Sequence, residues 1–215
     1  MAKLTDKPFD RVIALLHERA GLSPNKVSVI GLVIGLIAAV VVAGGFIVAG
    51  LLLMALAQIV DALDGGIARK YHLESARGAL VEAVFDRISE LAMFAALVAA
   101  GEVSAKMAAL AFAAILLVTF LEPKSKFDPG FKRFMLYFGW LAGMLFPVRG
   151  FELAMQVIFL ANLTVFAVGT VMVEYRLQKA LDLEAIARRD ALVATGAPLP
   201  PDDPPTILSK LFSWF

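Results

Sequence analysis

Apolar residues in this chain fall in long runs separated by short polar clusters. The runs cover roughly 27–47, 48–69, 76–100, 103–122, 132–149 and 152–178, each near the 20 or so residues that an α-helix needs to cross the hydrocarbon core of a bilayer. They predict an all-α, polytopic membrane protein with six transmembrane helices. Ahead of them, "TDKPFDRVIALLHERAGL" sets Phe9, Val12, Ile13, Leu16 and Ala20 on one helical face, with Asp6, Asp10, Arg11, His17 and Glu18 elsewhere. That is the pattern of an N-terminal amphipathic helix, lying in the membrane interface or packed on the rest of the protein. In "LSPNKVS", Ser23 reads as an N-cap and Pro24 as a first helical residue, so a new helix starts there. The first apolar run lies behind a charged amphipathic stretch and is expected to remain as a span rather than be cleaved as a signal peptide.

Beyond Leu181, "GAPLPPDDPP" is too rich in proline for a helix or a central strand, and the closing "TILSKLFSWF" offers Leu211, Phe212, Trp214 and Phe215 to an interface. The expected organisation is therefore a lead-in over 1–26, a six-span membrane domain over 27–180 and a tail over 181–215. Composition agrees: 60% of residues are hydrophobic, 18% are charged and mean hydropathy is +0.81, which excludes an ordinary soluble domain. Of the 20 Lys and Arg residues, the six-span arrangement sets all but Lys106 and Arg149 on one side, which the positive-inside rule makes cytosolic.

On that side lies "DALDGGIARKYHLESARGALVEAVFD", residues 61–86. Asp61 and Asp64 are three apart near the end of one helix, and Glu82 and Asp86 are four apart on the next, so each pair lines one helical face. Four carboxylates at the edge of a low-dielectric region repel one another unless some are protonated or cations neutralise them, and cations are the simpler solution. The chain has no cysteine, and His17 and His72 are isolated, so the ligands are all oxygen. Oxygen donors favour Mg²⁺ or Mn²⁺, ions that commonly bridge protein carboxylates and substrate phosphates. A phosphate-containing substrate is implied. Gly65, Gly66, Ala68 and Gly78 are small enough to let a flat or bulky group approach the backbone, and Arg69 is suited to neutralise a phosphate.

These residues resemble the signature of the CDP-alcohol phosphatidyltransferase family, D-x2-D-G-x2-A-R-x8-G-x3-D-x3-D. Asp61, Asp64, Gly65, Ala68, Arg69, Gly78 and Asp86 match at the right spacings, and Glu82 stands where the third aspartate belongs. The six spans, the "SPN" before the first of them and the amphipathic N-terminal helix are also similar to the family, so the resemblance covers residues 5–180. It implies a two-metal transfer in which a CDP-linked lipid, CDP-diacylglycerol or CDP-archaeol, binds with its pyrophosphate on two ions, Mg²⁺ or Mn²⁺. An alcohol hydroxyl then attacks the phosphorus attached to the lipid and expels CMP. By resemblance, Asp61, Asp64 and Glu82 would hold the metals, Asp86 would help hold the second ion and act as base, and Asp61, Gly65, Ala68, Arg69 and Gly78 would bind the CDP group. Glutamate at position 82 keeps the charge and the donor atoms but moves them outward by about a bond length.

For the acceptor, the basic residues expected near the same cavity are Lys124, Lys126, Lys132, Arg133 and Arg176. Most read as positive-inside loop charge. Arg133, at the start of the fifth span, and Arg176, at the end of the sixth, are similar in position to phosphate-binding arginines of family members that use phosphorylated acceptors. "DRISEL" at 86–91 is similar to the phosphatidylinositol-phosphate and archaetidylinositol-phosphate synthases, whereas "EPKSKFDPGF" lacks the Arg-Ala-Lys type sequence associated with the glycerol-phosphate and inositol-phosphate branches. The resemblance thus implies a phosphorylated polyol as acceptor, such as inositol phosphate or glycerol phosphate, with serine as the alternative.

Expected surroundings are membrane lipids and no nucleic acid, with the active site on the cytosolic face, in the plasma membrane if the source is prokaryotic. A homodimer is left open, since "GLVIG" at 31–35 serves close packing within one chain as well as a dimer seam. Glu90 is expected to pair with Arg87. Two other classes stand beside the enzyme. A cation transporter would set its carboxylates near mid-membrane with a path to both sides. A noncatalytic scaffold would account for Glu82 but not for the remaining spacing.

Overall fold

A computed structural model describes residues 10–125 and 132–195, with residues 122–125 described through their backbone alone. Every regular element among them is helical. A short helix α1 (Asp10–Ala14) runs into a π-helical turn at Leu15–Arg19, and six longer helices follow: α2 (Pro24–Ala43), α3 (Ile47–Lys70), α4 (Ala76–Ala99), α5 (Ala105–Ser125), α6 (Lys132–Leu145) and α7 (Gly150–Thr195). Ser23 is extended and Pro24 opens α2 as the sequence predicts, though the Ser23 side chain makes no capping bond. The described chain divides after Gly169 into two units, the second beginning at Thr170 within α7.

The six long helices coincide with the six apolar runs, but they do not qualify equally as spans. α2, α3 and α7 are long and apolar enough to cross a membrane. α4 carries Arg77, Glu82, Asp86, Arg87 and Glu90 in its first four turns, α5 is apolar only over Ala105–Leu121, and α6 has 14 residues. α7 does not stop near residue 178 but continues to Thr195, because 177–195 is rich in Ala and Leu and contains neither Gly nor Pro. Its 46 residues exceed twice the roughly 20 that a bilayer core accommodates. The outward faces of the helices are apolar, with Val40 72%, Leu52 67% and Phe120 82% exposed. Surfaces of this kind are stable against lipid tails and costly against water.

In the unit ending at Gly169, α2 is the central packing element, meeting both α3 and α4. Its buried face is built from small side chains, Ser28, Gly31, Gly35, Ala38 and Ala39. Gly31 meets Val60 and Ala57 of α3, and Gly35 meets Ser89 of α4, so this G-x-x-x-G is used within the chain. The turn into α3 is closed by Gly45 at φ +86°, and at Gly50 an added Cβ would lie 2.2 Å from Val42 Cγ2. Beneath this, Val42, Met54, Leu97, Ile115, Leu136 and Met155 join α2 to α7 in one apolar core.

Two polar devices tie the outer helices in. Glu152 of α7 accepts hydrogen bonds from Ser104 N and Ser104 Oγ, each at 2.7 Å, and so satisfies the N-terminus of α5. Glu90, 6% exposed, faces Arg87 Nε at 3.3 Å and Lys132 Nζ at 3.6 Å, while Arg87 donates to Thr119 Oγ1 at 3.1 Å. The pairing of Glu90 with Arg87 is the one expected from their spacing, and Lys132 extends it to α6.

Among the described glycines, the least room for a Cβ lies between α6 and α7. A Cβ on Gly150 would stand 1.9 Å from the Gly139 carbonyl oxygen and 2.6 Å from Gly143 N, with no flexible side chain to yield. Gly150→Ala is therefore expected to destabilise the fold by about 1–3 kcal/mol, the usual scale of overpacking. Gly143→Ala, whose added methyl meets nothing closer than 3.6 Å, is the control. Thermal unfolding of the two detergent-purified variants checks this: the midpoint should fall for Gly150→Ala and stay near the parent for Gly143→Ala.

Candidate active site

The polar stretch between α3 and α4 owes its shape to two helix ends. α3 ends in a tight αL turn, with Leu73 N donating to Ala68 O at 2.9 Å and His72 at φ 54° in the place where glycine is usual. His72 is exposed. α4 begins at Ser75, whose side chain caps Gly78 N at 3.0 Å. These ends bring the last turns of α3 and the first turns of α4 beside the start of α2, and carboxylates from both helices act electrostatically on one another: Asp61 with Asp86, Asp64 with Asp61 and Glu82, and Glu82 with Asp86.

Each carboxylate has a distinct environment. Asp64 is 3% exposed and accepts a hydrogen bond from Ser28 Oγ. Asp61 and Asp86, both partly buried, share the guanidinium of Arg133: Nη1 lies 3.3 Å from Asp61 Oδ2 and Nη2 is hydrogen-bonded to Asp86 Oδ1. Glu82 is exposed and has Arg69 within electrostatic reach. Among the described residues no three of His, Asp and Glu converge on one point as a preformed metal cage. The donor set nevertheless fits a hard divalent cation. It is made of oxygens only, its charges repel, and a cationic side chain already stands between two of its members.

Two cavities flank the carboxylates. The first, ≈ 170 Å³, is lined by Asn25, Ser28, Asp64, Gly65, Ala68, Arg69, Gly78 and Glu82. Arg69 folds back over Gly65, where an added Cβ would meet its Nη1 at 3.0 Å, and an added Cβ on Gly78 would meet Ser75 Oγ at 3.1 Å. The second, ≈ 40 Å³, runs between α2, α3, α4 and α6 and is lined by Gln58, Asp61, Asp86, Ser89, Lys132 and Arg133 among others. The first has room for part of a nucleotide, the second for little more than water.

Six of the eight signature residues thus line one cavity, and Asp61 and Asp86 line the other, with Arg133. Lys132 is 4% exposed and belongs to the ion cluster of Glu90. Of the remaining basic residues singled out in the sequence, Lys124 lies in the last turn of α5, described only by its backbone, Lys126 lies outside the described residues, and Arg176 is exposed in the unit that begins at Thr170. Three site residues escape sequence reasoning. Asn25 and Ser28 stand in a segment that reads only as a helix start, though polar residues at the head of an apolar span are a signal. Gln58, one turn before Asp61, lines the smaller cavity with its Nε2 buried and without a hydrogen-bond partner.

Known proteins share this fold. A family model described as CDP-alcohol phosphatidyltransferase matches residues 22–128. No curated protein sequence matches. Among solved structures, the phosphatidylinositol phosphate synthase of Mycobacterium tuberculosis with CDP-DAG bound has a TM-score of 0.65 at 17% identity, covering 79% of this chain and 93% of that one. The same enzyme in complex with manganese and citrate also has a TM-score of 0.65 at 17% identity, over 78% of this chain and 88% of that one. Its apo form has 0.61 at 18% identity, over 74% and 92%. These likenesses show the fold. With the family match across α2 to α5 and the signature residues gathered at one place, the chain is an integral membrane transferase of substituted phosphate groups and belongs to the CDP-alcohol phosphatidyltransferase family.

Proposed function

We propose that the chain transfers a phosphatidyl-type group from a CDP-linked lipid to the hydroxyl of a phosphorylated polyol, such as inositol phosphate or glycerol phosphate, at the cytosolic face of a six-span membrane domain. The observation that carries this reading is the sharing of the signature between two adjoining cavities: one small-residue pocket with Arg69, suited to CDP, and one smaller space where a carboxylate pair is bridged by Arg133, a cation of the kind that binds phosphate. Solved neighbours that bind CDP-DAG and manganese support it. Of the four helices that line the smaller cavity, α4 and α6 fall short of a span by composition or length and turn polar residues toward it.

In this reading Gly65, Ala68 and Gly78 leave the backbone open to cytidine, and Arg69 neutralises its phosphates. Asp61, Asp64, Glu82 and Asp86 would hold two divalent ions, Mg²⁺ or Mn²⁺. When bound, such ions supply charge stabilisation for the attacking and leaving oxygens of an in-line displacement. Ser28 fixes one orientation of Asp64, as outer hydrogen bonds commonly do for ligating carboxylates. The acceptor oxygen forms its bond to the lipid-bearing phosphorus as the bond to CMP breaks, and the hydroxyl proton passes to Asp86. Arg133 couples recognition to that step, because an acceptor phosphate competes with Asp86 for the same guanidinium and frees the carboxylate to take the proton. Arg176, Lys124 and Lys126 supply further cationic candidates for the acceptor phosphate.

Membranes containing the chain, given CDP-diacylglycerol or CDP-archaeol and a panel of inositol phosphate, glycerol phosphate, serine, inositol and choline, should release CMP with a phosphorylated polyol and only with Mg²⁺ or Mn²⁺ present. Full release in excess EDTA would overturn the metal mechanism, and release with serine alone would overturn the acceptor class. Asp86→Asn should keep CDP-lipid binding while lowering turnover by about 10²–10⁴-fold, the usual worth of a general base; unchanged turnover would remove Asp86 from that role.

At Glu82 the charge should matter more than the length of the side chain. Glu82→Gln is expected to raise the metal concentration needed for half-maximal CMP release by at least the roughly 10–100-fold that losing an outer-shell partner costs, whereas Glu82→Asp retains activity with a shifted preference between Mg²⁺ and Mn²⁺. Equal metal requirements for parent and Glu82→Gln would exclude Glu82 as a ligand.

A further inference from the structure

Ile13 is 1% exposed, although it belongs to a five-residue helix outside the long apolar runs. Its side chain is received by Gly66, where an added Cβ would lie 2.6 Å from Ile13 Cδ1. The contact exists because position 66 has no side chain. Gly66 is not one of the signature residues, yet it lies between Gly65, which lines the larger cavity, and Ile67, which joins Ile13, Val27 and Leu63 in a small buried cluster of its own.

Polar contacts repeat the connection one turn further on. Lys70 Nζ lies 3.0 Å from Asp10 Oδ1, and Tyr71 OH donates to Glu18 Oε1 at 2.7 Å. The His17 ring stands 4.2 Å from the Tyr71 ring, centroid to centroid, while His17 Nδ1–H donates to Leu22 O at 3.0 Å. The Glu18 carboxylate pushes the Tyr71 hydroxyl up to about 12, so it remains a donor at any physiological pH. The π-helical turn at Leu15–Arg19 carries both His17 and Glu18. Exposed ion pairs contribute little on their own, so the Ile13 knob is the dominant contact and the polar groups fix its orientation.

We propose that residues 10–22 clamp the end of α3, and that Ile13 and Tyr71 are positioning residues for the transfer reaction. The inference rests on the function proposed for the adjoining cavity. Asp64, Gly65, Ala68 and Arg69 occupy the last turns of α3, the part of a helix that frays most readily. Holding Gly66 and Tyr71, neither of which lines the nucleotide pocket, keeps those turns helical without occupying the pocket. A displacement of this end by even an ångström would be felt by the bound phosphates and far less by the acceptor.

The test uses the full chain in detergent or nanodiscs, with Ile13→Ala, Gly66→Ala, the double variant, Tyr71→Phe, and Val12→Ala as an exposed control. Ile13→Ala and Gly66→Ala are expected to raise KM for CDP-lipid about tenfold with the acceptor KM little changed, and Tyr71→Phe to raise it about threefold. The double variant, which moves a methyl group across the contact, should lie nearer the parent than either single change. Amide hydrogen exchange at 65–70 should quicken in Ile13→Ala and not in Val12→Ala. A lower yield of active protein with unchanged KM for CDP-lipid, or unchanged exchange at 65–70, would overturn the clamp. If the parent itself releases no CMP, the proposed function fails, and the exchange measurement alone decides the clamp, for it if exchange quickens and against it if not.

Discussion

Four carboxylates gathered at the adjoining ends of two helices, next to an apolar interior, repel one another unless cations or protons lie among them. Here the demand is met in part by Arg133, whose guanidinium spans Asp61 and Asp86, and in part by Ser28, which hydrogen-bonds the buried Asp64. Neither neutralises the whole set. Excess negative charge on oxygen donors where water is scarce favours hard divalent ions, which commonly bridge carboxylates and phosphates.

Bringing the carboxylates together is a packing problem before it is an electrostatic one. In lipid there is little hydrophobic drive between helices, so close approach of small residues does the work. α2 presents Gly31, Gly35, Ala38 and Ala39 to α3 and α4 at once, and Gly139 and Gly150 let α6 and α7 touch backbone to backbone. Buried polar links then hold the assembly in register: Glu90 ties α4 to α6 through Lys132, and Arg87 ties α4 to α5 through Thr119. Arg133 stands one residue after Lys132, so the ion cluster that anchors the start of α6 holds the backbone from which Arg133 reaches the carboxylates.

Much of this was legible in the residues. The apolar runs give the six long helices to within a few residues, the far end of α7 excepted, and the spacing of Asp61, Asp64, Glu82 and Asp86 gives the two carboxylate-bearing faces. Arg133 was singled out for its place at the start of α6, and Glu90 for its pairing with Arg87. What stayed hidden was whatever depends on a partner distant in sequence. Ser28 is an ordinary serine in a helix start until Asp64, 36 residues on, is brought against it. Gly66 reads as one more small residue in a nucleotide-binding stretch until Ile13 is seen to fill its place. Gln58 is a lone amide in an apolar helix until the cavity below Asp61 appears. The reach of α7 was missed for another reason: a span is bounded by the bilayer, but a helix ends only where its residues stop favouring it, and those after Arg176 continue to do so.

The central claim is that the carboxylate cluster is a divalent-ion site completed by the CDP-lipid. Electron paramagnetic resonance of Mn²⁺ titrated into the detergent-purified chain tests it without reliance on turnover. With CDP-lipid present, the free-ion signal should be suppressed up to about two equivalents per chain, and the suppression should be lost in Asp64→Ala. A free Mn²⁺ signal that grows from the first addition, in the parent as in the variant, would contradict it.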